Sequence, residues 1–94
     1  GTPTGKDEVR NRFSDLQSRF EEKVIARHCS LADPIYLTAR DLSNTLPEHS
    51  DNGDWMRREL DEMRRTCQAT DTDGPESEAI LASLRQKHLS YGRP

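Results

Sequence analysis

Apolar residues recur at intervals of three and four along most of this chain, the spacing of one face of a helix. Val9, Phe13, Leu16, Phe20 and Val24 form the first such stripe. Thr4 followed by Asp7 is close to a capping box, with Asp in place of Glu. Glu8 with Arg12, and Asp15 with Arg19, lie four apart with the acid first, which supports a helix. A long helix is expected over 6–28. The next segment breaks the stripe. Asp33-Pro34 offers a cap followed by a first-turn proline, and Thr38 with Asp41 offers a competing start. The second start is preferred, giving a short helix over 38–46 that faces inward with Ala39, Leu42 and Leu46. Pro47 ends it by pushing its predecessor out of the helical region.

"EHSDNGD" reads as a loop, because Asn52-Gly53 is a strong turn signal, with Asp51 or Asp54 as the cap of the next helix. Met56, Leu60, Met63 and Cys67 then make a stripe over 54–69, with Asp54–Arg58 and Asp61–Arg65 as acid-first pairs. "DTDGPESE" is the second break, and Pro75, Glu76 and Glu78 suit a helix start. Ile80, Leu81, Leu84 and Leu89 give a helix over 75–89, with Arg85, Lys87 and His88 in its last turns. Residues 90–94 are expected to fray. No segment keeps the two-residue period of a strand. The expected fold is all-α, a small single-domain bundle of three to four helices spanning 1–94.

Composition narrows the picture. With 94 residues, 33% charged and only 5% aromatic, the core must be thin. A formal net charge of -3 argues against a general binder of nucleic acid or anionic membranes. No apolar run approaches the roughly eighteen residues of a membrane helix. The chain starts "GTPTG", with neither Met nor a signal peptide, so it is expected to be a domain of a larger protein, whose targeting signal could lie outside this sequence. Cys29 and Cys67 form no CxxC. They are expected as two buried free thiols in an intracellular domain, cytoplasmic or nuclear, with a bridge between helices as the alternative.

Candidate chemistry starts from "YLTARDLSNTL", Tyr36 to Leu46. A capped start and leucines at helical spacing are shared by three things: the first half of a helix-turn-helix, the first helix of a calcium hand, and an ordinary bundle helix. A calcium loop centred on Gly53 would use Glu48, Ser50, Asn52 and Glu59, but Asp normally leads such a loop, and Pro47 and His49 crowd its start. Centred on Gly74, Asp71 and Asp73 fit, while Ala69 and Ile80 stand where ligands are needed. The pieces "LTARDL" and "LDEM" are similar to helix segments of calmodulin-type hands. That resemblance covers short helical stretches and implies, as a third reading, a degenerate calcium-hand-like pair.

The second reading is a helix-turn-helix-like nucleic-acid binder, with Arg57, Arg58, Arg64 and Arg65 as contacts. Against it, Asp51 and Asp54 occupy the helix end that would meet phosphates, and Glu59, Asp61 and Glu62 interleave the arginines. Catalysis has little behind it. His28, His49 and His88 lie in separate segments, and no phosphate loop, nucleophile elbow or metal-ligand spacing occurs. No catalytic residue, metal or cofactor is expected. The favoured reading is a non-enzymatic adaptor or scaffold module, in which an apolar groove rimmed by paired charges receives a partner helix or peptide. Trp55, Met56, Tyr36, Arg57, Arg58, Arg64 and Arg65 are the candidate contacts, and the acidic second break would favour a basic partner.

Overall fold

The structure is a computed structural model that describes residues 5–91, with side chains over 7–90. Four α-helices follow in order: α1 (Gly5–Ile25), α2 (Asp33–Ser43), α3 (Asp51–Ala69) and α4 (Pro75–Tyr91). A short 3-10 turn, Cys29–Ala32, leads into α2. The fold is all-α, and no strand occurs among the described residues. The shortest dimension, 20 Å, is about two helix diameters, so the helices form two layers.

The expected stripes meet in one core. Phe13, Phe20 and Val24 of α1 are buried with Ala39 of α2, Met56, Leu60 and Met63 of α3, and Leu81 of α4. Val9, Leu16, Leu42, Leu46 and Leu84 pack around them. Ring contacts tie the layers together. Phe13 meets Trp55 edge-to-face at 5.3 Å, and Phe20 meets Tyr36 at 6.5 Å. Such pairs add modestly to the area they bury.

Helix ends differ from expectation in instructive ways. The first helix stops at Ile25, because Arg27 takes a left-handed conformation (φ 59°). The His28 N–H then donates to the Lys23 carbonyl at 2.8 Å, and the Arg27 N–H to that of Val24 at 2.9 Å. This is the Schellman closure usually made with glycine. The second helix takes the rejected start. It begins at Asp33 with Pro34 in its first turn, and Thr38 lies inside it, donating its hydroxyl to the Pro34 carbonyl at 2.9 Å. It ends at Ser43, ahead of Pro47. The third helix starts at Asp51, not Asp54, and its cap is Ser50, whose Oγ accepts the Gly53 N–H at 3.1 Å. Asn52-Gly53 therefore sits in a first helical turn. Leu89, expected on the apolar face of α4, is 59% exposed. The face through Leu81 and Leu84 continues at His88 instead. Thr4 of the expected capping box lies outside the described residues.

The thiols are also corrected. Cys29 and Cys67 form a disulfide, with Cα atoms 5.8 Å apart, that fastens the turn before α2 to the last turns of α3. Periodicity places both cysteines at the edges of stripes. Which edges face each other depends on how the helices cross.

Candidate functional site

Helix α4 leans on α1 through Leu81 and leaves an open groove between itself and α3. The floor is the α1 segment holding Gln17 and Glu21. Ala69 lies on the α3 wall, and Ala79, Ile80 and Leu84 on the α4 wall. This part encloses about 620 Å³. A second part, about 440 Å³, shares Gln17, Glu21, Glu59 and Lys87 with it and runs on to Ser14, Ser18 and Trp55. The two adjoin along α1 through these shared residues, and the second ends at the tryptophan.

The groove's polar groups are mostly held in place. Glu21 is only 8% exposed. Its carboxylate lies 2.9 Å from Lys87 Nζ and 3.1 Å from His88 Nε2. A buried carboxylate needs such partners, since burial without them is costly. The Gln17 amide donates to Glu59 Oε1 at 3.0 Å, which fixes Glu59 on the rim. Arg65 pairs with Glu62 at 3.3 Å. The larger part is lined by four carboxylates, Glu21, Glu59, Glu62 and Glu76, against two cations, Arg65 and Lys87. The groove thus combines an apolar strip with an acidic rim.

The seven candidate contacts do not converge. Trp55 stands at the groove's end, half-buried against Phe13, with the Arg10 guanidinium 4.7 Å from its ring centre. Arg65 is on the rim. Met56 is fully buried, a correction to its candidacy: it is the first inward position of the α3 stripe, so no partner can reach it. Tyr36 and Arg64 line a different cavity, between α2 and α3, with Arg64 5.6 Å from the tyrosine ring centre. Arg57 pairs with Asp54 at 3.3 Å, and Arg58 is exposed. Neither lines the groove. The expected partners are each displaced by one residue, since Asp54 meets Arg57 rather than Arg58, and Arg65 meets Glu62 rather than Asp61.

Gln17, Glu21, Glu59, Ile80, Leu84 and Lys87 were missed from sequence. One signal was present. Gln17 and Glu21 lie four and eight residues after Phe13, on the inner side of an otherwise apolar stripe. Polar groups there call for partners from another helix.

The other two readings gain little from the geometry. Residues 51–59 are helical, so the Glu48-to-Glu59 set cannot wrap a cation. Among the described residues no group of three or more His, Cys, Asp or Glu is placed to hold a metal ion. The connection between α2 and α3 spans 44–50, longer than the usual turn of about three or four residues in a helix-turn-helix. No helix among the described residues is long and apolar enough to cross a membrane. Compared with known proteins, the chain matches no family model, no curated protein and no solved structure.

Proposed function

We propose that this chain is a non-enzymatic interaction module whose α1/α3/α4 groove receives a basic amphipathic helix. The observation that carries the reading is the groove between α3 and α4, with Ala69, Ile80 and Leu84 as an apolar strip under an excess of carboxylates. Apolar anchors at helical spacing would fill the strip, and flanking lysines or arginines would meet Glu59, Glu62 and Glu76. Charge complementarity of this kind guides encounter and selects among partners. Trp55 at the groove's end is its natural anchor, since tryptophan is the commonest hot-spot residue.

The bridge also bears on the compartment. A Cys29–Cys67 disulfide persists where the surroundings are oxidising. The module is therefore proposed to work there, not in the cytoplasm or nucleus that free thiols implied.

The test is an NMR titration with a stapled helical peptide carrying leucines at helical spacing between lysine-rich flanks. Shifts should map to Gln17, Glu59, Ala69, Ile80 and Leu84. A Glu59→Lys, Glu62→Lys variant should bind roughly tenfold more weakly, the effect of about 1.4 kcal/mol. Equal binding of the same peptide with acidic flanks would sink the reading. Mixed-sequence duplex DNA at low salt is the companion titration, because low salt strengthens phosphate attraction. Shifts at Arg57, Arg58, Arg64 and Arg65 would instead favour the nucleic-acid reading.

A further inference from the structure

A second cavity, on the opposite side of α3, has the opposite chemistry. It encloses about 400 Å³, within the range of small-molecule sites. Its back is Phe20 of α1, 3% exposed, and one wall carries Tyr36 and Leu37 of α2. Leu37 is 45% exposed, so part of this apolar surface stands open to solvent. Two arginines line the cavity from different helices, Arg40 from α2 and Arg64 from α3. Arg40 has one carboxylate neighbour, Asp41 at 4.0 Å, the outer limit of an ion pair. Arg64 rests against the Tyr36 ring, a contact that leaves the edge of the guanidinium free to donate.

We infer that this cavity is a binding site for a small organic monocarboxylate with an apolar, preferably aromatic, body. The body would lie on Phe20, Tyr36 and Leu37, and the carboxylate would meet Arg40 and Arg64. Guanidinium groups suit this task because their planar forks match a carboxylate's two oxygens. Asp33 also lines the cavity, at the first turn of α2, where the helix dipole favours an acid. Among the lining residues two cations and one anion leave a single net positive charge, which Asp41, outside the lining and 4.0 Å from Arg40, offsets only in part. That balance fits one carboxylate and disfavours a phosphate dianion.

The disulfide belongs to the same site. Cys67 lines the cavity, and its bridge to Cys29 ties α3 to the turn that opens into α2. The two walls that carry the arginines are thus joined covalently. A site whose walls are fixed before binding loses less on ordering.

The inference does not rest on the acidic groove, and its experiment reads different residues. The oxidised chain is titrated with 3-phenylpropionate and, in parallel, with 3-phenylpropionamide, which keeps the shape without the charge. The acid should shift the amides of Tyr36, Leu37, Arg40, Arg64 and Gln68. The amide should bind at least about tenfold more weakly, as expected for loss of charge-assisted hydrogen bonds. Arg40→Gln and Arg64→Gln should each weaken the acid and leave the amide unchanged. Both arginines are exposed, so the fold is expected to persist, and a thermal melt of each variant checks that. Equal binding of acid and amide, no binding of the acid, or shifts at Trp55 and Ile80 in place of Tyr36 would each overturn the inference. Phenylphosphate serves as the dianion arm, and tighter binding of phenylphosphate than of the acid would overturn the monocarboxylate assignment.

Discussion

On one side of α1, Phe20 meets Tyr36 of α2, and the chain just beyond the helix is locked to α3 by Cys29–Cys67. On the other side, α4 buries one leucine fully, Leu81, packs a second, Leu84, partly against the core, and is further attached by polar groups. Lys87 and His88 hold Glu21 near its end, and Glu78 with Asp73 holds Arg27 near its start, at 2.7 and 3.0 Å. The Arg27 pairs are largely solvated and therefore weak. One side is held by apolar contact and a covalent bond, the other by two leucines and charges. The difference shapes the two surfaces. Where α2 and α3 are bridged, a compact cavity with two arginines forms. Between α3 and α4 an acidic groove remains.

Breaking the bridge should have the largest effect. A Cys29→Ser, Cys67→Ser variant loses the constraint on an unfolded chain closed over 38 residues. By chain entropy this is worth about 3–4 kcal/mol. Denaturant unfolding of the oxidised chain and the variant measures it, with a lower midpoint expected and a steeper slope, since the unbridged unfolded chain exposes more surface. Amide exchange sharpens the comparison. In the oxidised chain, α4 amides should exchange by local opening at lower free energy than those of α1 and α3. Equal protection of all the helices would mean that the two sides are held alike.

The weaker side is tested at Glu21. Replacing it by Gln keeps the shape and removes the charge that Lys87 and His88 share. Breaking a fully buried pair costs more, but Lys87 is 38% exposed and water can take it up. The expected loss is about 1–2 kcal/mol in unfolding experiments. It should come with faster exchange in the last turns of α4 and little change in α2. A loss spread evenly over the molecule would remove the idea that this clamp is local.

Which of these features could be read in the sequence depends on their range. The stripes through Phe13, Phe20 and Val24, and through Met56, Leu60 and Met63, are local in period, and they were legible because burial repeats every turn. The bridge was not, since Cys29 and Cys67 are brought together only by the crossing of α3 with the chain after α1. The groove was half legible. Gln17 and Glu21 announced polar groups on an inner face, yet their partners Glu59 and Lys87 lie on other helices. Met56 misled because a methionine beside Trp55 looks the same whether it faces core or solvent. Arg27 gave no sign that it would close α1, because the left-handed position usually falls to glycine.

The start of α3 is where local rules point furthest from the outcome, and it supplies the smallest predicted effect. Asn52-Gly53 signals a turn, but Gly53 is buried inside the first helical turn. In most helices Gly→Ala gains about 1 kcal/mol. Here a Cβ would sit 2.6 Å from Ser50 Oγ, 3.1 Å from Arg57 Nη1 and 3.2 Å from the Pro47 carbonyl. Arg57 can swing away. Ser50 can escape only by rotating its hydroxyl off the Gly53 N–H and off the Pro47 carbonyl, to which it also donates at 2.8 Å. Moving it removes the cap, worth about 1 kcal/mol, and the backbone contact with Pro47 remains tight. The two effects oppose each other, and the added contact tips the sum. Gly53→Ala should destabilise by roughly 0.5–1 kcal/mol, the reverse of the usual sign. The cycle with Ser50→Ala checks the cause. Once the hydroxyl is gone, Gly53→Ala should become neutral or slightly stabilising in the same unfolding measurement, and a cost that persists would place the strain on Pro47 instead.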